Sequence, residues 1–83
     1  MNVEQKIKQS KIITDLISRY ESQRAFARAI NEDPADVIKW RNATIAVKPR
    51  VVMTLARLFN IHPNELRPDL FDADIQFIFG SKK

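Results

Sequence analysis

The sequence has no cysteine among its 83 residues, so neither a disulfide framework nor a thiolate metal cluster is available, and nothing calls for an oxidising compartment. It has one glycine and one histidine. A glycine-rich phosphate cradle is therefore excluded, and His62 has no second histidine or thiol with which to hold zinc. It reads as a solvated helix-start residue ahead of Pro63. Asp69, Asp72 and Asp74 lack the glycine turn and closing glutamate of a calcium loop. No nucleophile and base stand at a recognisable catalytic spacing, so an enzyme is not expected. Apolar runs fall far short of the ~20 residues that cross a bilayer, and the N-terminus lacks a signal-peptide pattern. The expectation is a cytoplasmic protein with no cofactor, no membrane association and no small-molecule ligand.

What is present is a chain 45% hydrophobic and 29% charged, the profile of one helix-rich domain whose length allows burial of roughly 60% of the unfolded surface. Fourteen Lys and Arg oppose ten Asp and Glu, giving a net charge of +4 and a pI near 9.8. Position matters more than the total. Lys39, Arg41, Lys48, Arg50 and Arg57 follow one another with no acidic residue between them, a stretch suited to meet an anion.

Residues 1 to 10 are polar and read as a frayed arm or the first turns of a helix. From Lys11, the apolar positions Ile12, Ile13, Leu16, Ile17 and Tyr20 recur at offsets of three and four, which predicts an amphipathic helix ending near Tyr20. Ser22 caps a second helix with Phe26, Ala27 and Ile30 on its inner face. Asn31 takes the turn, since asparagine tolerates the left-handed region. Asp33 then offers a capping oxygen and Pro34 starts a third helix, with Val37 and Trp40 inward, ending around Asn42. Ala43 to Lys48 form a loop. Pro49 restarts a helix on Val52, Leu55, Ala56 and Phe59, broadened by Val51 and Leu58 and closed by Asn60; Pro63 to Leu66 make a last short turn before Pro68. Ile75, Phe77 and Phe79 alternate as in a short strand.

The second and third helices form a helix-turn-helix: Ala27 lets them cross closely, and Ile30, Val37 and Trp40 fill the wedge. With Gln23, Ala27, Ile30, Asn31, Val37 and Trp40 at that motif's spacing, the chain resembles phage repressors of the Cro and CI type. The run Leu66, Arg67, Pro68, Asp69, Leu70, Phe71 is similar to the ending of small Cro-like proteins of the YdaS-like group. The resemblance spans about residues 11 to 71. It departs from the family at the turn, where Asn31 replaces the usual glycine. It departs again where Pro34 and Ala35 stand in place of the base-reading Gln and Ser. It implies an all-α, lambda-repressor-like bundle of about five short helices, with the short C-terminal strand added.

Physically, a helix fits the major groove, so the outer face of the third helix would meet base edges. Lys39 can donate to guanine, Asn42 can pair with adenine, and Ala35 or Ile38 can pack on a thymine methyl. Few hydrogen-bonding readers are present, which leaves much of the specificity to methyl contacts and DNA shape. Gln23 resembles the family's phosphate clamp, and Arg41, Thr44, Lys48 and Arg50 are placed to grip the backbone. The expected division is a DNA-binding domain over residues 1–74 and a tail over residues 75–83. There, Ile75, Phe77 and Phe79 either pack on their own domain or pair with a second copy to make a homodimer. The leading expectation is a Cro-like repressor acting on operator DNA in a bacterial or phage-infected cell. The other is a protein-interaction module, such as an antitoxin, that works by sequestering a partner.

Overall fold

The computed structural model describes residues 1–71. They form five helices: α1 (Val3–Ile17), α2 (Gln23–Ala29), α3 (Pro34–Arg41), α4 (Pro49–Phe59) and α5 (Pro63–Leu66). The strand expected over Ile75, Phe77 and Phe79 lies outside the described residues. Among the described residues no helix is long and apolar enough to cross a membrane, and no group of three or more His, Cys, Asp or Glu could hold a metal ion.

The first helix corrects the boundaries that periodicity suggests. Of the two readings of residues 1 to 10, the first turns of a helix holds from Val3 onward, because Asn2 and Gln5 close a capping box. The Asn2 side chain accepts from the Gln5 N–H at 2.8 Å, and the Gln5 side chain accepts from the Asn2 N–H at 3.0 Å, which satisfies two donors that a helix start leaves open. The apolar pattern misses this half because its inward residue is Gln9, while Val3 and Ile7 face solvent. The helix also stops at Ile17, short of Tyr20. Arg19 N–H to Leu16 O (3.2 Å) and Tyr20 N–H to Ile17 O (2.9 Å) tighten the chain into a turn. Tyr20 still packs inward, edge-on to Phe26 at 5.5 Å and to Phe59 at 6.4 Å between ring centroids.

The remaining elements follow the local signals. Ser22 Oγ accepts from Ala25 N–H at 3.0 Å and Asp33 Oδ1 from Ala35 N–H at 2.8 Å, capping α2 and α3. Asn31, at φ 57°, ends α2 in the left-handed region. Glu32 N–H reaches Ala27 O (2.9 Å) and Asn31 N–H reaches Arg28 O (3.1 Å), the paired bonds that satisfy the last open carbonyls of a helix. Alpha-3 ends in the same way on a residue that gave no warning. Ala43 sits at φ 61°, with Thr44 N–H on Lys39 O at 2.8 Å and Ala43 N–H on Trp40 O at 3.2 Å. Asn60, at φ 56°, closes α4.

Ile13, Leu16, Phe26, Val37, Trp40, Val51, Val52, Leu55 and Leu66 make the core, each at most 1% exposed. Leu58 does not join it: at the margin of the α4 stripe, it is left 57% exposed. His62 is half-buried, not a solvated residue. Its Nδ1 accepts from Asn64 N–H at 3.0 Å and so caps α5.

Candidate nucleic-acid interface

Alpha-2 and α3 pack directly on each other with Ala27 fully buried between them, as a close helix crossing requires. Val37 and Trp40 turn into the core, and this fixes which side of α3 faces out. Ala35, Ile38, Lys39 and Asn42 stand at offsets of three and four and are all exposed, forming one continuous stripe. Ile38 is 43% exposed in the middle of it. An exposed isoleucine flanked by a lysine and an asparagine gives the stripe both an apolar contact and hydrogen-bond donors. Pro34, at the first position of α3, is half-buried.

Gln23 and Arg41, 18 residues apart, are joined: Arg41 Nη1 donates to Gln23 Oε1 at 2.9 Å. With its carbonyl accepting from Arg41, the Gln23 amide has its NH2 group to offer as a donor. This couples the start of α2 to the end of α3 on the exposed side.

The loop after α3 is held from beneath. Gln9 is fully buried. Its Nε2 donates to Ile45 O at 3.0 Å and Trp40 O at 3.3 Å, while its Oε1 accepts from Val47 N–H at 3.0 Å. The neighbouring Ser10 hydroxyl donates to Arg41 O. From the other side, Arg67 Nη1 donates to Val47 O at 2.7 Å. Arg67 is itself gripped by Asp69 through a fork, Nε to Oδ1 at 2.9 Å and Nη2 to Oδ2 at 2.7 Å. Thr44 and Lys48 are exposed on this loop.

The basic stretch is less free in space than in sequence. Arg50 Nη1 lies 2.6 Å from Glu32 Oε2, with the Glu32 side chain only 6% exposed. Lys48 Nζ lies 3.8 Å from Asp36 Oδ2. Among the described residues, Lys39 is in no ion pair, and Arg41 pairs only with the neutral Gln23. Glu32 therefore competes with any anion for Arg50. Glu32→Gln is expected to tighten binding to random duplex DNA several-fold at low salt and to steepen the log–log salt slope by about one, since one more cation becomes free to release a counterion. Salt-dependent binding titrations of both proteins measure it; an unchanged slope would show that Arg50 does not reach phosphate.

The Arg67 fork holds the Asp69 carboxyl below its ordinary range. The hydrogen bond from the guanidinium is the main cause and its positive charge adds to it, against a partial opposition from burial. Asp69 in turn raises Arg67. A depressed carboxyl stabilises the fold above the unfolded pKa of about 4, and that contribution is lost as pH falls through the lowered value. Thermal melts are thus expected to show a step of acid destabilisation that Asp69→Asn removes, with Asp69→Asn melting lower than the parent at neutral pH.

Alpha-2, the turn and α3 define the class of architecture: an all-α helix-turn-helix bundle. No family model matches the chain, and no curated protein is found similar to it. Among solved structures it is similar to the solution structure of the SOS-response transcriptional repressor LexA from Eubacterium rectale, with a TM-score of 0.66 and 23% identity, covering 93% of this chain and 80% of that one. The likeness is one of fold.

Ala35, Ile38, Lys39 and Asn42 thus share one surface, Pro34 stands half-buried at the start of α3, and Gln23 is tied to the end of α3 through Arg41. What sequence reasoning missed is the support: Gln9, the reach of Arg67, and the opposition of Glu32 and Asp36. Gln9 carries no local mark of burial, and the ion pairs join residues 12 and 18 positions apart.

Proposed function

We propose that the chain is a sequence-specific regulator of transcription that binds double-stranded DNA with α3 in the major groove. In this reading it is a Cro-like repressor that occupies operator DNA as a homodimer in the cytoplasm. The observation that carries the proposal is the exposed stripe of Ala35, Ile38, Lys39 and Asn42, backed by the buried Val37 and Trp40. It is a rigid face of the width a major groove accepts, with groups that match base edges.

Gln23, Arg41, Thr44 and Lys48 surround that face as phosphate contacts, with Arg50 available once Glu32 yields it. Two copies would place their α3 helices in successive major grooves about 34 Å apart, doubling the bases read. The tail residues Ile75, Phe77 and Phe79 are the proposed joint between copies, and residues 1–74 the DNA-binding unit.

The test is selection from a pool of randomised duplexes. The reading expects enrichment of an inverted repeat with half-sites one helical turn, or a multiple of it, apart. Enrichment of a single half-site would retain DNA reading and remove the dimer. No enrichment over several rounds at low salt would remove sequence-specific binding.

A further inference from the structure

The peptide groups of Val47 are held from both directions by side chains that are distant in sequence and lie behind the proposed binding face. Gln9 of α1 takes its N–H at 3.0 Å, and Arg67, beyond α5, takes its carbonyl at 2.7 Å. Gln9 also takes the carbonyls of Trp40, inside α3, and of Ile45 in the loop. One buried amide therefore fixes the end of α3 and the loop after it in a single mutual orientation. An amide can do this because it donates twice and accepts at once, which no carboxylate or ammonium does. The loop itself needs such support, since Ala43, the second residue beyond α3, is a non-glycine in the left-handed region.

We infer that Gln9 and Arg67 are positioning residues for DNA binding: together they set the loop that carries Thr44 and Lys48 against the DNA backbone while α3 reads the groove. The inference rests on the DNA-binding reading and adds to it a dependence on residues that never touch DNA. It also ties the segment after α5 to the interface, because Arg67 is aimed at Val47 by the Asp69 fork. A side chain that loses the fork while keeping its charge loosens the loop without altering the groove-facing stripe.

The experiment compares the full chain with Arg67→Lys and Gln9→Glu. Arg67→Lys keeps the cation but not the planar fork; Gln9→Glu keeps the shape but loses both donations when ionised. Should Gln9→Glu fail to fold, Arg67→Lys, at the edge of the core, carries the test alone. Amide exchange followed by NMR reads the loop, and binding to random duplex DNA at several salt concentrations reads the interface. For Arg67→Lys the expected result is faster exchange at Val47 with α2 and α3 protection retained. Affinity is expected to be about 3- to 30-fold weaker, with a salt slope shallower by about one as the Lys48 contact is lost.

Faster exchange at Val47 with affinity within about twofold of the parent would overturn the inference, since the loop's geometry would then not matter to binding. Unchanged exchange at Val47 would overturn it too, by showing that Arg67 does not hold the loop. If the parent chain itself binds no duplex DNA, the functional reading fails and takes the inference with it; that outcome is told apart by the parent titration alone.

Discussion

Trp40→Ala is expected to lower the stability of the chain by about 3 to 5 kcal/mol. Trp40 is the largest fully buried side chain and sits where α3 meets the rest of the core. Removing a buried tryptophan costs about 3 to 5 kcal/mol, because the transfer energy of the ring is lost and a cavity remains. A chain of this length has a total stability of about 4 to 12 kcal/mol at the usual value per residue, so between about a quarter and all of the margin disappears. Circular dichroism and a urea titration measure it. A cooperative transition shifted by less than about 1 kcal/mol would place Trp40 outside the core. Trp40→Phe separates volume from polarity. Among the described residues, the indole N–H has no hydrogen-bond partner, so phenylalanine loses less than its smaller size alone suggests.

Ile38→Glu should do the opposite, leaving the fold intact and abolishing DNA binding. Ile38 is 43% exposed on α3, so its replacement by another helix former is expected to shift stability by no more than about 0.5 kcal/mol. In the groove, however, a carboxylate would face the negative potential of the duplex, offset only in part by Lys39 beside it and Arg41 one turn on. Like-charge juxtaposition across an interface costs several kcal/mol, so affinity should fall on the order of 100-fold or more. Ile38→Ala, which removes only the methyl contact, should cost less and lose discrimination mainly at thymine positions. Equal binding by Ile38→Glu and the parent would mean that α3 does not enter the groove.

These two residues also mark how far the sequence alone carries. The helix-turn-helix was legible because its signals are local: a serine cap at Ser22, an asparagine able to turn left-handed at Asn31, an Asp-Pro start at Asp33 and Pro34, and Val37 and Trp40 three apart. Each falls where the structure has it. The outward stripe of α3 followed by subtraction, once the inward pair was known. The first half of α1 was not legible as a buried element, because the side chain it sends inward is a glutamine whose partners lie more than 30 positions away. The capping box of Asn2 and Gln5 was the available signal, an N-cap residue followed three positions later by a glutamine.

Charge was the least transferable inference. Lys48 and Arg50 look unopposed along the chain, yet the turn before α3 brings Glu32 to Arg50, and the first turn of α3 brings Asp36 to Lys48. The left-handed Ala43 was equally silent, since alanine carries no turn signal. Such features depend on tertiary placement, which local pattern does not encode. Among the described residues, the cations of the proposed groove contact that stand in no ion pair are therefore Lys39 and Arg41 rather than the whole basic run.

The measurement that bears most directly on the central claim is a fluorescence-anisotropy titration of mixed-sequence duplex DNA across a series of salt concentrations, with Lys39→Ala alongside. Binding that weakens with salt at a log–log slope of about −2 to −3 per subunit, and weakens further without Lys39, is the expected result for an interface at which Lys39, Arg41 and Lys48 neutralise two or three phosphates while Glu32 holds Arg50. Absence of binding at low salt, or a slope near zero with Lys39→Ala indistinguishable from the parent, would contradict the reading of α3 and its flanks as a DNA-binding face.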